Sequence, residues 1–390
     1  MNFDEIINRK NTHSAKWDMM EELYGVSKEN GIPMWVADMD FRPPKCISDS
    51  IKKMYDHGIY GYFGDDKDYL KSIHWWLKHR HNWDIDPSWV FTTHGLVNGT
   101  SMAIQTYSDP GDGVVLFTPI YYVFFRQIKE GGREVLECPL VNNNGHYELD
   151  FEHYDSLMKG NEKILVLSSP HNPGGRVWTQ KELTEIASFA QRHDLVVVSD
   201  EIHNDLIMPG YKHIPMAIAA PQILDRLVMM TATTKTFNIA GMHTGNVIIP
   251  DPKLRAAFNK TMVSFGISPS SFGKQMITAA YTQEGADWVD NLMLYLDENQ
   301  KIFNTELGKI PGINSMHLES TYLCWVDFSN TGMRKDEFTK RVEKTAQIAA
   351  SHGHTFGAGG DSFLRFNIAT RRTLLLEALE RLNETFSDLQ

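Results

Sequence analysis

Three motifs in this chain carry residues able to do chemistry, and each follows an apolar run. The segment 231 to 241 reads Thr-Ala-Thr-Thr-Lys-Thr-Phe-Asn-Ile-Ala-Gly and places Lys235 just after Leu227, Val228, Met229 and Met230. A lysine amine condenses with carbonyls to a Schiff base, and a buried strand would deliver it to a site at the strand's end. Asp200 closes the run Val196-Val197-Val198-Ser199 and is followed by Glu201-Ile202-His203. Ligands of open α/β sheets collect at the carboxyl ends of strands, where a carboxylate can face a cationic ring nitrogen. The third motif, Ser168-Ser169-Pro170-His171-Asn172-Pro173-Gly174-Gly175, has the prolines and glycines of a rigid turn that presents Asn172. Taken singly, these are a solvated lysine, a helix-capping aspartate and a tight turn. Their order (strand, Asn-Pro-x-Gly, strand, Asp, strand, Lys) points instead to one pocket for pyridoxal phosphate (PLP), whose ring accepts electrons only while its nitrogen stays protonated.

The elements that position these residues follow from the apolar runs 113–117, 163–168, 195–199, 227–230 and 246–249, which recur between helix-like stretches. That alternation predicts an α/β fold with a mostly parallel sheet covered on both faces. Glu182 to Arg192 has helical apolar spacing and is read as scaffold packed on the sheet. After about residue 282 the pattern changes to a long helix (Asp287 to Leu307), a strand (Tyr322 to Phe328), a helix (Lys335 to Ala350) and a terminal helix (Arg372 to Phe386). The expected division is a large PLP-binding domain over 46–282 and a smaller α+β domain built from 1–45 and 283–390.

The whole chain resembles the fold type I PLP enzymes of the class I and II aminotransferase family, and more narrowly the cystathionine β-lyase and cystalysin-like C–S lyase branch. The family is carried by Asp200-Glu201-Ile202-His203 and by Lys235-Thr236-Phe237-Asn238-Ile239-Ala240-Gly241. The branch is carried by Lys16-Trp17-Asp18, Trp35-Val36-Ala37-Asp38-Met39-Asp40-Phe41 and Gly61-Tyr62. By that resemblance Lys235 binds the cofactor aldehyde, Asp200 pairs with the ring nitrogen, Asn172 bonds the ring oxygen, and Tyr121 stacks on the ring. His203 stands where aminotransferases often have a tyrosine touching that oxygen. The backbone of Gly95, Leu96 and Val97, opening a helix, would cradle the phosphate. Arg365 would hold the substrate carboxylate, Ala37 lies at a substrate-side position, and Tyr122 would assist near the amine or leaving group. Tyr62 would reach the phosphate of a partner subunit, so the resemblance implies a homodimer.

Two departures bear on the reaction. Ala232 stands three residues before the lysine, where a small hydroxyl residue is common, leaving Thr233 or Thr234 among the candidates to supply that bond. His243 stands eight residues after it, where many aminotransferases carry an arginine. Both agree with β-elimination from a sulfur amino acid, with transamination as the alternative.

The composition agrees with small-molecule chemistry. The chain has 390 residues and a formal net charge of -11, which disfavours a nucleic-acid surface. Cys46, Cys138 and Cys324 show no metal-ligand spacing, and no stretch approaches a membrane span, so a reducing cytoplasm is expected. His74, His79 and His81 are read as part of an amphipathic helix with no metal, and Gly357 to Gly360 as a turn near the mouth of the site.

Overall fold

The computed structural model describes residues 1–389. Its centre is a seven-stranded sheet of β1 (Val90–Thr93), β2 (Gly113–Thr118), β3 (Glu134–Pro139), β4 (Glu162–Ser168), β5 (Val196–Asp200), β6 (Leu227–Thr231) and β7 (Gly245–Ile248), in the order β1-β7-β6-β5-β4-β2-β3. The strands β3, β2, β4, β5 and β6 run parallel to one another. β7 is antiparallel to both β6 and β1, which corrects the parallel reading of 246–249. Only a short turn and a few residues separate Lys235 from β7, too little chain for a crossover, so the strand returns against its neighbour.

Alternate residues of the central strands enter two separate cores. Val114, Leu116, Ile164, Val166, Val198, Val228 and Met230 pack with Leu96, Met102 and Ile104 of helix α1 (Leu96–Tyr107). Val115, Phe117, Leu165, Leu167, Val197 and Met229 pack on the other face with Leu183, Ile186 and Phe189 of helix α2 (Gln180–Arg192). Strand side chains alternate between faces, so a run apolar at every position is one covered twice. Helix α2 begins at a capping box in which Thr179 and Glu182 satisfy each other's backbone N–H groups.

A second sheet is antiparallel throughout. It joins Asn314–Ser315, β8 (Leu323–Asp327), β9 (Phe363–Asn367) and Ser351–His352. Helices α3 (Gln283–Leu307) and α4 (Arg372–Thr385) belong to the same part of the chain. The helix expected over 335–350 is broken: Lys335–Lys340 is α-helical, Arg341–Thr345 widens to a π turn, and Ile348–Ala349 forms a strand. Gln347 there adopts a left-handed φ of 55°. The apolar residues that suggested helix are used to pair Ile348–Ala349 with Ile32–Pro33 from the start of the chain. No helix among the described residues is long and apolar enough to cross a membrane.

Candidate active site

The parallel strands end together and so collect the three motifs. Ser168 is the register partner of Asp200, and Asp200 of Met230, so β4, β5 and β6 finish side by side. The Asn172 turn, Asp200 and the short helix Thr233–Thr236 bearing Lys235 leave from those ends and line one cavity of about 440 Å³. Gly95, Leu96 and Val97 line it from the start of α1. Gly95 caps that helix at φ 80°, a left-handed conformation that suits glycine, with no side chain bonding the first amides. Uncapped amides at the positive end of a helix dipole have the chemistry to bind an anion.

Arg365 enters from β9. Its guanidinium donates from Nη1 to Asn172 Oδ1 at 2.8 Å and from Nη2 to the Trp35 carbonyl at 3.1 Å and Ser351 Oγ at 3.2 Å. It sits 4.9 Å from the centre of the Phe356 ring, and its Nε has no protein partner. Tyr121 and Tyr122 line the same space with ring centres 5.1 Å apart, and Tyr122 meets Phe356 edge-on at 5.5 Å. Lys235 donates from Nζ to the Ala37 carbonyl at 2.7 Å, which brings the early Trp35–Phe41 string to the site.

Burial dominates the electrostatics. It depresses the Lys235 amine to about 8, with Arg365 acting in the same direction and Asp38 and Asp200 opposing. Burial also raises the Asp200 carboxyl to about 7, against the bond its Oδ1 accepts from the Ile202 N–H at 3.1 Å. His203 is pushed down to about 3 by burial and by Lys235 and Arg365, which leaves a neutral imidazole whose Nδ1 has no partner. Burial lowers Arg365 as well, although the surrounding tyrosines favour its charge. A neutralisable amine, an acid titrating near neutrality and an unpaired imidazole nitrogen form a site whose polar groups are not used up internally.

The structure does not bring every expected residue to the cavity. Thr234 lines it, whereas Thr233 does not, and the Thr233 hydroxyl is buried without a partner. Tyr62 is fully exposed and borders a separate surface hollow with Ser50, Met54 and Ser271. His74, His79 and His81 are each engaged elsewhere: His74 with Asp84 at 2.8 Å, His79 stacked on Trp75, and His81 with Asp205 at 2.9 Å. The carboxylate partners of His74 and His81 were not foreseen from their local sequence. The 357–360 turn follows Phe356, and the Ala358 N–H donates to Glu137 at 2.8 Å. Ser168, Ile202 and Ser351 are site residues that motif reading passed over. Ser351 was hidden because the run before it read as helix.

Strands, site and covering helices define an α/β enzyme with a ligand cavity at the carboxyl edge of its sheet. Residues 33–382 match the aminotransferase class I and II family, and the chain belongs to that family. It is 36% identical, over 99% of its length and 100% of the relative's, to cystathionine beta-lyase PatB of Bacillus subtilis (strain 168). It superposes with a TM-score of 0.95 on PLP-containing cystalysin from Treponema denticola, at 38% identity over 100% of this chain and 99% of that one. A PLP-bound protein of Clostridium difficile 630, provisionally described as an aminotransferase, has the same TM-score at 35% identity over 99% of each chain. The architecture is that of the fold type I PLP enzymes.

Proposed function

We propose that this protein is a PLP-dependent C–S β-lyase that converts cystathionine or a related sulfur amino acid, with water, to a thiol, pyruvate and ammonia. The observation that carries this reading is the convergence of Lys235, Asp200 and Arg365 on one cavity, in a chain 36% identical to a cystathionine beta-lyase. The residues fit the cofactor: the amine for its aldehyde, the buried acid for its ring nitrogen, the uncapped α1 start and Thr234 for its phosphate, and Tyr121 for its ring face. When bound, PLP supplies the electron sink for the pair released as the substrate α-proton leaves.

The chain's own groups do the remainder. Arg365 binds the substrate carboxylate through its planar fork, held by Trp35 and Ser351. Lys235 would take up the α-proton at its Nζ. Burial lowers its amine to about 8, which brings the neutral, basic form within reach near pH 7 as it is not for an ordinary lysine. Asp200 keeps a proton on the ring nitrogen. Asn172 and the neutral His203 would hold the ring oxygen, and Tyr122 would assist at the amine or the departing sulfur. Ala37 packs where the substrate enters, its carbonyl bonded to Lys235.

We assign 46–282 to a large cofactor-binding unit and 1–45 with 283–390 to a smaller one, supported by the pairing of Ile32–Pro33 with Ile348–Ala349. A homodimer is supported by the exposed Tyr55, Ile59, Tyr60 and Tyr62, an apolar group that a monomer would leave in water. In that dimer Tyr62 would hold the phosphate in the site of the partner subunit. A reducing cytoplasm is supported by three free cysteines.

The decisive experiment incubates the cofactor-loaded protein with L-cystathionine and no keto acid. Sustained release of pyruvate and thiol is expected. A single conversion of the cofactor to its amine form, reversed only by added keto acid, would replace the lyase with an aminotransferase.

A further inference from the structure

Lys235 stands between two openings. Beyond the 440 Å³ cavity lies a second compartment of about 590 Å³, and the two share Val36, Ala37, Lys235, Ala240 and His243. The roof of the second compartment comes from the start of the chain, through Ile7, Arg9, His13, Ser14 and Ala15. None of these residues was given a role by the motifs.

The charges of this compartment are unequally engaged. Arg9 donates to Asp38 at 2.7 and 3.1 Å and to Asp40 at 2.9 Å, and the buried Lys16 donates to Asp40 at 2.7 Å. Two cations thus cancel two carboxylates, and Trp17 Nε1 adds a further bond to Asp40 at 2.9 Å. Arg42 is likewise matched by Glu5 at 3.0 Å. The imidazoles of His13 and His243, both exposed to solvent, have no hydrogen-bond or ion-pair partner among the described residues. The compartment therefore offers unengaged imidazole nitrogens, no unpaired acid, and apolar walls from Ile7, Ala15 and Val36. Such a lining accepts a chain several atoms long with a hydrogen-bond-accepting anion at its far end.

We infer that this second compartment receives the leaving-group arm of the substrate, and that it selects cysteine thioethers whose departing thiol carries a carboxylate, with His13 contacting that carboxylate. The inference rests on the lyase reading and gives it a substrate class. Arg365 lines only the first cavity and Lys235 lines both, so a substrate whose α-carboxylate is on Arg365 has the second space open to an arm extending from Cβ. A free cysteine fills only the first cavity, whereas a long thioether occupies both.

The test measures kcat/KM on the cofactor-loaded enzyme, with pyruvate as the common readout, for L-cystathionine, S-propyl-L-cysteine and β-chloro-L-alanine. These offer a long arm that ends in a carboxylate beside an ammonium, a neutral arm without either group and a single small atom. Ala15→Phe, which places a ring in the compartment, is expected to lower the cystathionine to chloroalanine ratio by about tenfold or more. His13→Ala is expected to lower the cystathionine to S-propylcysteine ratio by about tenfold, and His13→Gln by less, because glutamine keeps a donor. Ratios within one protein are insensitive to the fraction folded. An unchanged ratio in either the Ala15→Phe or the His13→Ala protein overturns the assignment. Absence of pyruvate from all three substrates in the unaltered enzyme overturns the lyase reading itself, and this assignment with it.

Discussion

Asp200 ends β5 and Asp205 lies in the turns that follow it, both buried, and their surroundings differ in every other respect. Asp205 accepts from Trp76 Nε1 at 3.1 Å, His81 at 2.9 Å and Thr236 Oγ1 at 3.1 Å. Burial alone would raise its carboxyl, but those donors hold it below the ordinary aspartate value. Asp200 accepts one N–H, from Ile202, and burial lifts it to about 7. A carboxylate with its acceptor sites filled is a structural tie, here fastening helix 67–81 to the turn that holds Lys235. One left with free acceptor capacity beside a cavity awaits a ligand. The pair teaches that burial by itself does not mark a functional acid. What marks it is burial without internal compensation.

The largest expected effect falls on the cavity side. Lys235→Ala should lower pyruvate release from cystathionine by about 10⁴-fold or more, since base and cofactor link go together. The absorbance band of lysine-linked cofactor should vanish, and a retained band would contradict the assignment. Asp200 and Asp205 then separate by assay. Asp200→Asn should reduce turnover by about 10² to 10³-fold with denaturant stability of the cofactor-free protein nearly unchanged. Asp205→Ala should instead cost about 3 kcal/mol in urea unfolding, because it strands the buried Trp76 and His81 donors. Equal losses of stability in both variants would erase the distinction.

Arg365→Ala removes charge-assisted bonds worth roughly 1.5 to 3 kcal/mol, so kcat/KM should fall about ten- to a hundredfold. A smaller pH effect follows from the depressed Lys235 amine. Only its neutral form attacks an aldehyde, so the rate at which stripped protein takes up PLP should rise about tenfold per unit below pH 8 and level off above it. A flat profile between pH 6 and 8 would place the amine elsewhere. Finally, Tyr62→Phe should speed cofactor loss only a few-fold, one hydrogen bond's worth, and no change at all would remove the cross-subunit contact.

How much of this was open to reading from the chain differs by residue. Asp200, Asn172 and Lys235 each lie within a few positions of a strand end, so local apolar patterning located all three and their order implied a shared edge. No local pattern marks 363–367 as a strand, and only family resemblance points to Arg365. Its immediate neighbourhood resembles ordinary core, because Phe363, Leu364 and Phe366 are buried around it. Likewise, 335–350 has helical spacing over its first half, and nothing local says that its second half pairs with residues near the start of the chain.

By itself, then, the sequence determined the alternation of buried strands and covering helices, and the three chemical groups at the strand ends, because both depend on spacing of a few residues. Tertiary structure alone decided what those groups touch. Arg365 meets Asn172 across 193 positions and Lys235 meets the Ala37 carbonyl across 198. Contacts so distant in the chain leave no periodic trace in it. The antiparallel return of β7, the filling of Asp205, the single hydrogen bond made to Asp200 and the hollow that Lys235 shares with residues 7–15 are all of that kind. Each depends on which surfaces pack together, and burial, which sets the acid and base strengths of the site, exists only once they have done so.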